Sequence, residues 1–441
     1  MLSNLTKFFD DNEIINNNHH GGRKFHSTKS AITKIYDILY KNDEKSIISV
    51  ILTTDLSSAY DTVNIDTLLQ KLNHYGVRGD TNKLFRSYFS NRKQFVRLEN
   101  FSSIMRNSPM CSVVQGSKMS GFMYNVYTNE IPLLHKLINT EFYRVNVNKN
   151  NLRNKKITHE TINFVDDSTN IIGFSEHNYI KIYIENYYKL LEVFYNANKL
   201  QINSDKTKLL IVNKPKLNKT LCNFSFRAGS DIIKADDNIK ILGTIIQKNL
   251  QLDKEIGKLS SQLHNRINNI RKLTKFTSIG TRLKFLNGFV MGKLNYMLPL
   301  YCSTNKFNID KLHKIVMTAA RTAIGSYCFK KSTTYILDKC GWLHINNMII
   351  YSSLNIIHNI IKNKLPISMT QLFRFQENTR SKSKISLRYT PKNNRYRNFY
   401  ICKYLNIYNE IPNSEKAKSS KSFKQYIKNW IRSGLPCDTN D

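Results

Sequence analysis

The chain has 441 residues, room for two or three domains with cores of their own, and carries 67 Lys+Arg against 32 Asp+Glu, a net charge of +35. AT-rich coding bias supplies Asp and Glu as readily as Lys, so it does not explain the sign; a polyanionic partner does, nucleic acid first and an anionic membrane surface second. Residues 1–20 are mixed and polar, no apolar run reaches membrane-spanning length, and the seven cysteines form no Cys-x-x-Cys pair, which argues against a secreted, membrane or zinc-ribbon protein and for an intracellular one, nuclear or cytoplasmic.

In chain order, residues 1–46 read as two helices around a Gly21-Gly22 break, with Ile32, Ile35, Tyr36 and Leu39 on one apolar face. His19, His20 and His26 read as a loop cluster rather than a metal site. Ile47, Ile48, Val50, Ile51 and Leu52 make a strand buried on both faces, ending at Asp55. A helix with Leu68, Leu69 and Leu72 inward stops near Gly76, and Asp80 or Thr81 caps a short helix through Tyr88. Strands are expected over Gln94–Leu98 and Ile104–Val114, and a helix over Ser117–Leu137 with Pro132 kinking its end. Residues 139–160 read as a variable Asn- and Lys-rich loop. A hairpin around Asp166-Asp167, a helix from about Tyr179 to Asn198, and strands near Lys208–Val212 and Ile239–Ile246 follow. From Leu252 the pattern is helical, its first helix carrying Lys254, Lys258, Arg266, Arg271, Lys272 and Lys275, a face either solvated or set against a nucleic-acid backbone. Met348–Ile361, interrupted by Ser352, Ser353, Asn355, His358 and Asn359, reads as an amphipathic helix. The window 380–397 interleaves basic residues with Tyr389 and Tyr396, which suits single-stranded nucleic acid or a solvated linker.

The most informative feature is Phe164-Val165-Asp166-Asp167, two adjacent carboxylates at a hairpin tip. Such a pair is either a solvated turn or a site where a hard cation relieves the repulsion. Asp55, at the end of a buried strand, is either a helix cap or a third carboxylate needing compensation. If the two elements converge, the carboxylates suit two metal ions roughly 3.5–4 Å apart, the arrangement that clamps attacking and leaving oxygens in phosphoryl transfer.

Several stretches then resemble reverse transcriptases, in the family's order. Asp55-Leu-Ser-Ser-Ala-Tyr60-Asp resembles the first catalytic motif, especially that of non-LTR (LINE-type) retrotransposons, and Phe164–Asp167 resembles the aromatic-x-Asp-Asp motif. Val114-Gln115-Gly116-Ser117 resembles the motif opening the template- and nucleotide-contacting helix. Asn203–Lys208 resembles the fourth motif, Ile239–Thr244 the primer grip, and Gly22-Arg23-Lys24 through Thr28 a fingers motif. The resemblance runs from about Leu5 to Leu365 and more weakly beyond.

The resemblance implies an α+β right-hand polymerase: partial fingers over residues 1–46, a palm of antiparallel sheet plus helices over 47–250 with fingers strands at about 94–114, an all-α thumb over 251–365 and a basic C-terminal region over 366–441. It implies RNA-directed DNA synthesis on an RNA template from a DNA or RNA primer and dNTPs, with two Mg2+ ions or, alternatively, Mn2+. Asp55, Asp166, Asp167 and the carbonyl of Leu56 would hold the metals, and Lys206 would protonate pyrophosphate or be a plain surface lysine. Arg23, with Lys24 as the fallback, would meet the triphosphate. Gln115 and Gly116 would line the nucleotide pocket, and Leu242 and Gly243 the primer grip. Tyr60, five residues after Asp55, would block a ribose 2′-hydroxyl, where RNA-dependent RNA polymerases place an aspartate; Asp61 is read as a helix cap.

The sequence departs from the family in two places. Val114 replaces the proline before Gln-Gly, and an upstream Arg-Pro-Ile-type fingers motif has no counterpart, so weak, salt-sensitive extension is expected. Neither an endonuclease domain nor a Cys/His knuckle is recognised, which is read as a self-standing compact enzyme, a split or truncated element, or one piece of a longer reading frame, with a separate endonuclease as one candidate partner. A group II intron maturase-like protein, or a decayed palm that binds nucleic acid without catalysis, are the competing readings; no carboxylate is lost to favour the latter.

Overall fold

A computed structural model describes residues 1–107, 112–114, 116–139, 157–212, 221, 223–325, 331–376 and 384–434. The chain divides into Met1–Leu242 and Gly243–Asp441.

In the first unit, α1 (Leu2–Asp11) and α2 (Thr28–Glu44) flank the Gly21-Gly22 break. Ser27 starts α2 through a reciprocal capping box with Ser30, which satisfies backbone donors that the first turn leaves open. β1 (Ile48–Leu56) follows and is the centre of a six-stranded sheet. The other strands are β6 (Ile157–Phe164), β7 (Asp167–Phe174), β8 (Ile202–Val212), β9 (Ser225–Ala228) and β10 (Asp231–Asp236), in the order β6-β7-β1-β8-β10-β9. All neighbours run antiparallel except β8 and β10. The continuous apolar run of β1 has the expected cause: α2 packs against β1, β6 and β7, while Val50 and Leu52 join a core with Phe9, Phe122, Ile172 and Leu209. α3 (Ile65–His74), α4 (Gly79–Phe89), α5 (Lys118–Tyr127) and α6 (Ile180–Ala197) complete the unit. The result is the α+β class.

Several local expectations are corrected. Asp61 does not cap α3; Asn64 does, accepting from Thr67 N at 2.9 Å. α4 begins after Arg78 with no side-chain cap, and Asp80 lies inside its first turn. Among the described residues of 94–114 the two expected strands are short pieces instead, β2 (Lys93–Gln94), β3 (Arg97–Leu98), β4 (Phe101–Ser102) and β5 (Arg106–Asn107), pairing β2 with β5 and β3 with β4, while residues 108–111 lie outside the described set. Their apolar residues stay exposed, Phe101 at 80%, so nothing buried extends the pairing. The helix from Ser117 ends at Tyr127, and Pro132 lies in a separate 3-10 turn, Ile131–Leu133. The loop ends by Ile157, where β6 begins, and residues 140–156 lie outside the described set. β8 starts at Ile202, not 208, and β9 and β10, which no motif in the sequence marks, extend the sheet beyond it. Asn196 to Lys199 close α6 by backbone bonds, Asn198 N to Phe194 O at 3.1 Å among them.

The second unit opens with β12 (Thr244–Gln247); β11 (Asn238–Ile241) closes the first. α7 (Asp253–Lys272) follows, with Lys275 beyond it in a 3-10 turn. Among the described residues, 251–365 hold helices and no strand. The long helix Ile345–Asn363 buries three of the polar residues that interrupt its apolar run, Ser353, Asn355 and His358. Ser353 donates to Ile349 O at 2.7 Å, Asn355 to Tyr351 O at 2.7 Å, and His358 meets Tyr408 Oη at 3.2 Å under the ring of Phe423. Locally satisfied polar groups can be buried, and these are. From residue 384 the tail is packed rather than linker-like: a hairpin pairs Phe373–Gln376 with Lys384–Leu387, and the buried Tyr396 stacks with Tyr389 at 6.0 Å. Arg380 and Lys382 lie outside the described residues. Among the described residues no helix is long and apolar enough to cross a membrane.

Candidate active site

Two strand ends and one turn build the site. β6 and β7 form a hairpin whose last pair is Phe164 with Asp167, so only Val165 and Asp166 make the turn. That turn puts Val165 at φ +60°, a left-handed conformation that a β-branched residue adopts only when its surroundings impose it. β7 pairs with β1 up to Thr54 and Ser168, which leaves Asp55 and Asp167 as the next residues on neighbouring strands. The register between β1 and β8 shifts between Thr53 and Asp55, paired with Lys208 and Asn203 respectively. The excess chain on β8 bulges outward there and carries Lys206, whose Nζ lies 3.0 Å from Asp55 Oδ2.

The structure thus brings Asp55, Asp166, Asp167 and Lys206 together. Burial, then the charges of Asp166 and Asp55, push the Asp167 carboxyl up to about 6. Asp166 is also raised, by burial first and then by Asp55, against its own backbone hydrogen bond and Lys206. Lys206 is mostly exposed, so its ion pair contributes little to stability. A hard cation suits this donor set: oxygen donors only, and a repulsion that a positive charge relieves. The side chains are not closed around such an ion, since no group of three or more His, Cys, Asp or Glu among the described residues is arranged to hold one. The ammonium of Lys206 supplies the compensating charge at Asp55 instead.

Tyr60 stands beside this cluster. Its hydroxyl is raised by burial and then by the Asp166 charge, its ring stacks on Tyr124 at 5.3 Å, and a Cβ at Gly121 would lie 4.0 Å from its Oη. Tyr124 is a residue the sequence reading missed. It is fully buried, its hydroxyl has no hydrogen-bond partner, and Asp166 is among the charges raising it. Residues 122–127 of α5 are all buried, so periodicity gave no signal that singled it out.

Other candidates are placed differently. Arg23 is largely buried and committed to the protein, donating to Asn16 O at 2.9 Å and His19 O at 3.4 Å and lying 3.8 Å from Asp10. Lys24 is exposed, with its ammonium over Phe25. The histidines beside them cluster in the loop between α1 and α2, with the His20 and His26 rings 5.5 Å apart; His19 and His20 are fully buried and neutral, burial holding His19 near 3 and His20 well below its ordinary value. Gly116 takes φ +88° with open space beside it, and Gln115 lies outside the described residues. Leu242 and Gly243 form the turn after β11, at φ +45° and +84°.

A family model described as "Reverse transcriptase (RNA-dependent DNA polymerase)" matches residues 1–246. No curated protein matches. Similar solved structures include telomerase from Candida tropicalis in complex with a fragment of telomeric RNA, at 12% identity and TM-score 0.35, over 91% of this chain and 51% of that one. Apo telomerase from the same organism, truncated from its C-terminal domain, is similar at 16% identity and TM-score 0.31, over 50% and 38%. The Candida albicans telomerase complex is similar at 12% identity and TM-score 0.29, over 78% and 53%. The chain spans about half the length of these proteins or less.

Proposed function

The chain belongs to the reverse transcriptase (RNA-dependent DNA polymerase) family, and from that premise we propose that it extends a primer 3′-hydroxyl with deoxynucleotides on an RNA template, as the polymerase of a non-LTR retrotransposon-like element. The observation that carries this reading is the meeting of Asp55 with Asp166-Asp167 under Lys206, from segments more than a hundred residues apart.

Asp55, Asp166, Asp167 and the carbonyl of Leu56 would hold divalent cations, magnesium or manganese. Such ions, when bound, lower the pKa of the attacking hydroxyl and neutralise charge on the phosphates. Lys206, paired with Asp55 at 3.0 Å, would part from it when Asp55 holds a cation, and its ammonium would be placed to give a proton to the departing pyrophosphate. Tyr60, held flat on Tyr124, would press on the 2′ carbon of the incoming sugar and exclude a 2′-hydroxyl. Gly116 leaves room for the nucleotide beside the N-terminus of α5. Lys24 is better placed than Arg23 to meet the triphosphate, because the Arg23 guanidinium is already bonded to backbone. In this reading residues 1–46 are fingers, 47–250 palm, 251–365 thumb, and Leu242-Gly243 grips the primer.

Primer extension on an RNA template with dNTPs and Mg2+ or Mn2+ tests it. Extension by the wild-type chain and none by Asp166→Asn is expected. No extension with either metal, or equal extension by the variant, overturns the reading.

A further inference from the structure

β6 is the edge strand of the main sheet, yet its catalytic end is not open. Asn163 N donates to Asn18 O at 2.9 Å and His20 N donates to Asn163 O at 2.8 Å, so residues 18–20 lie along it as a one-residue parallel bridge, His19 with Asn163. The next residue touches the turn itself. A Cβ on Gly21 would stand 2.4 Å from Val165 Cγ2, 2.7 Å from Val165 N and 3.1 Å from Phe164 C. Gly21 has no left-handed φ, unlike Gly22 at +66°, so space alone requires glycine there. On its other side Gly21 O accepts from the buried Asn125 Nδ2 of α5 at 2.7 Å, and Gly22 packs beside Gly121 of the same helix. His20 anchors the segment from below, its Nδ1 2.8 Å from Ser30 Oγ at the start of α2.

We propose that Asn18–Gly22 is a positioning strap that holds the Val165-Asp166 turn against α5, with Gly21 as the positioning residue that lets backbone meet backbone. The turn carries Asp166; α5 carries Gly121, beside Tyr60, and Tyr124 beneath it. One five-residue segment therefore fixes the carboxylate relative to the residues that face the incoming sugar. It also supplies the outside force that the strained φ of Val165 requires. A side chain at position 21 cannot be absorbed by a rotamer change, since two of its three nearest atoms are backbone. The turn must move, and Asp166 with it. This inference rests on the polymerase reading for its catalytic consequence, not for its geometry.

The test compares Gly21→Ala with Gly79→Ala in the full chain. Gly79 has φ +56° and nothing within 4 Å of an added Cβ, so that variant strains backbone without touching the site. For Gly21→Ala, kcat for primer extension is expected to fall on the order of 10²-fold with dNTP KM nearly unchanged. Mn2+ affinity, read by EPR without nucleotide, is expected to weaken by roughly tenfold or more. Gly79→Ala should keep wild-type kcat and Mn2+ affinity even where its Tm drops. If Gly21→Ala does not fold, Asn125→Ala removes the bond to Gly21 O and should move kcat and Mn2+ affinity in the same direction by less. Wild-type kcat and Mn2+ affinity in the soluble variant, or losses no larger than those of Gly79→Ala, overturn the strap. A wild-type chain that extends no primer, while Gly21→Ala still weakens Mn2+ binding, sinks the polymerase reading and leaves the strap standing.

Discussion

The two units bury different things. Around the Asp166-Asp167 hairpin of Met1–Leu242 a polar network is buried: Thr161 Oγ1 and Tyr187 Oη both donate to Asn170 Oδ1 at 2.7 Å, and His159 lies 3.1 Å from Tyr183 Oη. In Gly243–Asp441 the helices close mainly on aliphatic side chains, Leu263, Ile267, Ile315, Val316, Leu354 and Ile357 all fully buried, and the buried Ser353 and Asn355 bond to carbonyls of their own helix. Apolar packing is non-directional and tolerates repacking; a buried hydrogen-bond network fixes geometry and is costly to break. The difference teaches that geometry beside the Asp166 hairpin hangs on a few buried polar contacts between strands and helix, and that of the second unit chiefly on apolar packing.

That contrast can be broken most severely at Asp166. Asp166→Asn should abolish nucleotide addition, a loss of several kcal/mol of barrier stabilisation, with thermal unfolding and nucleic-acid affinity unchanged. Leu263→Ala should do the reverse. It should destabilise the second unit by about 2–5 kcal/mol, read as faster hydrogen exchange across α7 while exchange at β6 and β7 stays at wild-type rates.

Smaller effects sharpen the contrast. Tyr60→Val should raise ribonucleotide use relative to deoxyribonucleotide by about 1–3 kcal/mol, measured as the ratio of kcat/KM values; an unchanged ratio would make Tyr60 plain core. Acid should loosen the first unit. Burial holds His19 and His159 near 3, while the unfolded chain's imidazoles protonate near 6.5. The unfolded state then binds more protons between those values, so stability falls as pH drops through 6.5. The loss is on the order of 1 kcal/mol per histidine per pH unit. His159→Asn should flatten that slope in urea titrations at pH 7 and pH 5.5. Least of all, Lys258→Gln on the exposed face of α7 should weaken nucleic-acid binding uniformly and reduce the salt slope by about 1.

What the sequence by itself determined is whatever rests on local pattern. The β1 run had to be a strand covered on both faces, the β-branched segments around Asp166-Asp167 had to be a hairpin, and α2, α3 and α6 announced themselves by apolar spacing. The α+β class follows from those elements. Sequence reasoning failed where a segment's state depends on what covers it. The apolar residues of 94–107 looked like strand interiors and remain exposed, and Ser353, Asn355 and His358 of Ile345–Asn363, which break its apolar run, are buried. Only tertiary structure decided the bulge that sets Lys206 on Asp55, the commitment of Arg23 to backbone carbonyls, and the burial of His19 and His20. The role of Gly21 belongs with these. Its missing side chain matters because a turn more than a hundred residues away in sequence lies against it, and no local pattern encodes a distance of that kind.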